Sequence, residues 1–163
     1  VEDRVEITVP AGVQDGTALR LDGRGESGVR SGPPGDLYVQ FSVRPHPVFL
    51  RDGDHLVCSL RIPVTVAALG ADVPIETLDG EDTVQVPAGT QPGALLRMAG
   101  KGVPRLGGRG RGDLIVQVSV DVPTKLRGEE RELLAKLAEL RGEKTGDFAK
   151  GFLDRIKDAF KPR

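Results

Sequence analysis

The chain has 163 residues, enough for one large or two small domains. Its net charge is −1, with acidic and basic residues nearly balanced, which argues against a general electrostatic attraction to nucleic acid or membrane. No apolar run approaches the roughly 18 residues that span a bilayer, no signal peptide opens the chain, and the single cysteine, Cys58, excludes an internal disulfide and a cysteine-based zinc site.

Aromatic residues are only 4% of the chain, so any core must be built from Val, Leu, Ile and Ala. The 22 glycines and 12 prolines are spread along the sequence, as expected for many turns between short strands and not for a flexible linker. A lone cysteine fits a reducing, cytoplasmic location.

From the start, Val5, Ile7 and Val9 alternate with Glu6 and Thr8, the period of a half-buried strand. Pro10-Ala11-Gly12 ends it, Gly16 marks a second turn, and Leu19-Arg20-Leu21 begins the next strand. Gly23 to Gly28 spells G-x-G-x-x-G. A dinucleotide site needs a helix after that loop; here the alternation Leu37-Val39-Phe41-Val43 follows, so a hairpin loop is the better reading. Further on, Asp52-Gly53 and Leu78-Asp79-Gly80 predict tight turns. A strand is expected over residues 56–62, and one short helix over residues 64–69 is stopped by Gly70.

Residues 9–25, VPAGVQDGTALRLDGRG, then return as residues 86–102, VPAGTQPGALLRMAGKG. The offset of 77 positions also carries GDLYVQFSV, residues 35–43, onto GDLIVQVSV, residues 112–120, with no gap. This is a duplicated supersecondary unit. The second unit occupies roughly residues 46–120, whereas the first holds only its latter half. With Val1 and not Met at the start, a missing front half is expected upstream.

After Pro123 the period changes. Leu133, Leu134, Leu137 and Leu140 recur at helical spacing behind Gly128-Glu129-Glu130, whose acids suit a helix start. Beyond the break at residues 142–146, Phe148, Phe152, Ile156 and Phe160 form a narrow stripe with Leu153 beside them. Such a stripe packs on its own chain, on a second copy, or on a membrane surface.

Chemistry is sparse. His46 and His55 have no second ligand at metal spacing, and no Ser, Cys or Lys sits in a nucleophile setting, so nothing proposes an enzyme. RLGGRGRG, residues 105–112, could contact RNA phosphates, but it lacks interleaved aromatics. A nucleic-acid-binding β-barrel using residues 101–112 is the alternative function.

Taken together, VPAGVQDGTALRLDGRGE, PPGDLYVQFSVRPHPVFLRDGDHLV, AALGADVPIETLDG and VPAGTQPGALLRMAGKGVP with GRGDLIVQV resemble the C-terminal region of bacterial DnaJ co-chaperones. The terminal GFLDRIKDAFK is similar to the tail of the zinc-containing class. The resemblance implies a mainly β fold: two tandem sandwich- or barrel-like modules, the first incomplete, and a C-terminal helical segment. The expected boundaries are 1–44, 45–122 and 123–163. It implies binding of unfolded polypeptide clients and their presentation to a DnaK-type chaperone, with a client groove at Leu19, Leu21 and Phe49. A homodimer would form through Phe148, Phe152, Leu153, Ile156 and Phe160. The J domain and the zinc module of that family have no counterpart in these residues. No cofactor is therefore expected in this chain, and zinc only in the upstream module. Neither membrane nor nucleic acid is expected as a partner.

Overall fold

The computed structural model describes residues 4–28 and 32–143. They fall into two units that divide between Asp121 and Val122.

The first unit is built almost wholly from strands. β1 (Ala18–Leu21) and β2 (Leu37–Gln40) form an antiparallel hairpin in which Leu19 faces Val39 and Leu21 faces Leu37. β3 (Leu50–Asp52) and β4 (His55–Pro63) form a second hairpin around Gly53-Asp54, where Gly53 takes a φ of 60°. The predicted short helix is α1 (Val64–Leu69), and Gly70, at φ 78°, ends it by returning its N–H to the Val66 carbonyl (2.8 Å). β5 (Ala71–Thr77) and β6 (Gly80–Val86) pair with each other, and β7 (Leu95–Met98) and β8 (Leu114–Asp121) complete the unit. The larger sheet has the order β3-β4-β8-β7, with β4 and β8 parallel.

β8 lies between two neighbours and is covered on one face, so Leu114, Val116 and Val118 are fully buried. Two clusters make the core. Phe49, Leu56 and Cys58 pack with Leu114 and Val116; Ile62, Ala67 and Val86 pack with Val118. The aliphatic, aromatic-poor composition is thus sufficient for a dry interior.

The repeat is visible bond by bond. In the first copy the Gly16 N–H donates to the Phe41 carbonyl (2.9 Å) and the Phe41 N–H to Thr17 (2.8 Å). In the second, the Gly93 N–H donates to Val118 (2.7 Å) and the Val118 N–H to Ala94 (2.8 Å). All three positions are shifted by 77.

One expectation fails. Residues 4–10, read as a strand from Val5, Ile7 and Val9, form none. Their counterpart β6 is a strand because it pairs with β5 along its whole length. Among the described residues no strand pairs with residues 4–10, and alternation alone does not make a strand without a ladder to join. β2 stops at Gln40, whereas β8 runs on to Asp121 along β4.

In the second unit, α2 (Gly128–Leu140) carries the predicted leucines, with Glu129 and Glu130 in its first turn. The Glu130 carboxylate accepts the Arg127 N–H (2.8 Å), which satisfies a donor that has no partner within the helix.

Candidate functional site

The β1–β2 hairpin presents Leu19, Leu21, Leu37 and Val39 on one face, all half-buried. Their counterparts Leu96, Met98, Leu114 and Val116 belong to a core closed by Phe49, Leu56 and Cys58. Leu114 and Val116 are thus fully buried where Leu37 and Val39 are half-buried, while Leu96 and Met98 are half-buried like Leu19 and Leu21. Among the described residues β1 and β2 pair only with each other, and β1, like its counterpart β7 at the edge of the larger sheet, presents an outer edge of backbone N–H and C=O groups able to take an added strand.

A pair of buttresses holds the two hairpins rigid. Asp36 accepts the Gly23 N–H (3.0 Å) and is bridged by Arg20 (2.6 Å). Asp113 accepts the Gly100 N–H (2.8 Å) and is bridged by Arg97 (2.6 Å). The Gly100 N–H, followed by the Arg97 guanidinium, holds the Asp113 carboxyl below the usual carboxylate range. These residues were not singled out by sequence reasoning, although their shared spacing in both copies was a usable signal.

Phe49, the third expected groove residue, lies apart from the two leucines. It is 8% exposed and belongs to the second module's core. It also reaches one wall of a cavity of about 670 Å³ at the junction of the two modules, shared with Val43, Pro45, Leu50, Leu78 and Val103. His46 fixes the turn there: its Nδ1 accepts the N–H groups of Val48 (3.1 Å) and Phe49 (3.2 Å), and its ring lies against Phe49. His55 is structural too, its Nδ1 accepting the Asp113 N–H at 3.0 Å.

Three of the four cations of the basic loop lie beside acids. Lys101 pairs with Asp82 (2.8 Å), Arg111 with Asp79 (2.7 Å) and Arg105 with Asp54 (3.8 Å). The Asp82 partner raises the Lys101 ammonium, and Lys101 in turn lowers the Asp82 carboxyl. Loop charges already matched by acids offer little to a phosphate backbone. Cys58 is buried, with its thiol pushed up by desolvation. Among the described residues no three His, Cys, Asp or Glu side chains converge as a metal site would require.

The proposed dimer residues Phe148, Phe152, Leu153, Ile156 and Phe160 lie outside the described residues. On α2, Leu133, Leu134, Leu137 and Leu140 are all exposed. Among the described residues no helix is long and apolar enough to cross a membrane.

Comparison with known proteins agrees with the repeat. The family described as the DnaJ C terminal domain matches residues 1–123, and that described as the chaperone protein DnaJ C-terminal region matches residues 129–162. The chain is 48% identical over 158 residues to the chaperone protein DnaJ of Ruminiclostridium cellulolyticum, covering 97% of this chain and 42% of the relative. It is 50% identical over 162 residues to chaperone protein DnaJ 2 of Streptomyces coelicolor, covering 96% and 43%. The chain thus spans about two-fifths of the length of these relatives. The likeness follows the duplicated unit and continues through the tail: the chain belongs to the DnaJ C-terminal domain family.

Proposed function

We propose that this chain is the client-holding part of a DnaJ-type chaperone: it binds apolar stretches of unfolded or misfolded polypeptide and presents them to a DnaK-type partner, with no chemistry of its own. The observation that carries this reading is the β1–β2 hairpin, where Leu19, Leu21, Leu37 and Val39 form a half-open apolar face beside the outer edge of β1, which pairs with no other strand among the described residues. The relatives' name, chaperone protein DnaJ, supports it. An extended client segment added to a strand edge gains backbone hydrogen bonds that do not depend on its sequence, while the leucine face selects for apolar side chains. Small aliphatic contacts and a shallow face keep binding weak and reversible, as a holding factor needs. Leu19 and Leu21 form one wall of this groove. Phe49 supports it from the core of the second module and from the junction cavity.

A homodimer through Phe148, Phe152, Leu153, Ile156 and Phe160 would place two such faces in one particle and strengthen the hold on long clients through effective concentration. A chaperone of this kind works in the cytoplasm. The test is suppression of light scattering from a chemically denatured client on dilution. The parent chain lowers the scattering, and Leu19→Ser combined with Leu21→Ser abolishes that effect while far-UV circular dichroism is retained. Equal protection by the double variant would remove these leucines from the site.

A further inference from the structure

Gly12 and Gly89 occupy the same place in the repeat and share the same backbone conformation, with φ of 83° and 80°. Their surroundings differ. A Cβ added at Gly89 would meet nothing within 4 Å, whereas one at Gly12 would overlap the Pro104 carbonyl oxygen and crowd the Leu106 nitrogen (3.1 Å). The turn of the first module is thus seated against the Arg/Gly-rich loop of the second. Arg51, from β3 of the second module, also reaches this turn. Its Nη2 donates to the Gly12 carbonyl (2.7 Å), its Nη1 to the Val13 carbonyl (2.6 Å) and its Nε to the Gly53 carbonyl in its own hairpin turn (2.9 Å). Three donors of a planar fork are aimed at two modules at once. A lysine, with one nitrogen, could not reproduce that geometry. The counterpart turn has no such fork: Gly89 and Thr90 return their N–H groups to the Ala67 carbonyl within their own module (2.9 and 3.0 Å).

We propose that Arg51 is a positioning residue that locks the joint between the two β modules, with the turn at Gly12 and Val13 as the plug and the Arg51 fork and the Pro104–Leu106 backbone as its socket. The lock fixes the direction in which the hairpin face of the first module points relative to the second. It also gives the Arg/Gly-rich loop a structural role as a socket wall. The inference rests on these contacts alone and does not depend on what the hairpin binds.

Nitroxide labels at Gln40→Cys and Gln85→Cys, both exposed and one in each module, report the joint through their distance distribution by pulsed electron paramagnetic resonance. The native Cys58 is buried and its thiol pushed up, so labelling is selective. The parent chain gives one narrow distance. Arg51→Ala and Arg51→Lys both broaden and shift it, and Gly12→Ala does the same, while Gly89→Ala, which carries the same φ strain in open space, does not. A distribution unchanged by Arg51→Ala would overturn the proposal. So would an Arg51→Ala chain that lost its far-UV circular dichroism, because Arg51 would then be a folding residue and not a positioning one. Client protection measured on the same samples separates the two readings: a broadened joint with intact protection leaves the lock standing and detaches it from client holding.

Discussion

Leu37 and Leu114 are the same residue of the repeat, and truncating each to alanine gives unequal losses. Leu114 has no exposed surface and is packed with Phe49, Leu56, Cys58 and Val116. Removing its side chain loses the full transfer energy and leaves a cavity that the sheet cannot close, about 3–5 kcal/mol. Leu37 is only half-buried, opposite Leu21 at the end of a two-stranded ladder. Half the transfer term with no enclosed cavity gives roughly 1 kcal/mol. The assay is urea unfolding followed by far-UV circular dichroism, with the midpoint read at a common m-value. In a thermal scan, Leu114→Ala lowers Tm by on the order of 10–20 °C and Leu37→Ala by about 5 °C. Equal losses at the two positions would refute the reasoning, because they would mean that the hairpin face is as closed as the second core and offers no surface. A loss below about 1 kcal/mol for Leu114→Ala would refute the packing account itself.

Gly112→Ala places a Cβ onto the Asp54 carbonyl oxygen and costs about 2–4 kcal/mol in the same urea assay. Gly108→Ala, whose nearest neighbour is the Arg105 Cβ at 3.4 Å, stays within about 1 kcal/mol of the parent. Asp113 and Asp82 are both held below the ordinary carboxylate value, by the Gly100 N–H and by Lys101 respectively. Because the folded values are lower than the unfolded ones, the stability these groups supply is complete above pH of about 4 and is lost as pH falls through the folded values. An acid titration of the unfolding midpoint therefore drops below pH of about 4, and the Asp113→Asn chain, already weakened at neutral pH, drops less. Phe152→Asp combined with Ile156→Asp halves the mass read by multi-angle light scattering if the tail joins two copies; an unchanged mass would place that stripe on its own chain.

Strands and turns were largely legible because they are local. The alternation in β8, the turns at Gly53 and Gly80, and the helix stop at Gly70 each follow from backbone conformation and burial of one face. The exact repeat made the two copies mutually informative. Reading failed where a strand depends on a distant partner: Val5, Ile7 and Val9 alternate as well as any strand in the chain, yet among the described residues no strand pairs with them. Phe49 was legible as apolar, in the core or in a groove alike; its core burial comes from strands that lie both near it and far along the chain. The basic loop misled for a similar reason. Arg105, Arg111 and Lys101 read as free charge until the fold brings Asp54, Asp79 and Asp82 beside them. Arg51 left no signal at all, because it acts across a joint between modules and pairs with carbonyls that any sequence would carry.

The central claim is that an apolar client segment lies on the first-module hairpin. An ¹⁵N-labelled sample of the 163-residue chain, titrated with a short leucine-rich peptide, tests it directly, residue by residue. The account predicts shifts at the amides of Ala18–Leu21 and Leu37–Gln40, at moderate peptide concentration and with little dependence on salt. Shifts confined to residues 101–112 and suppressed by salt, or none along either strand of the hairpin, would contradict it.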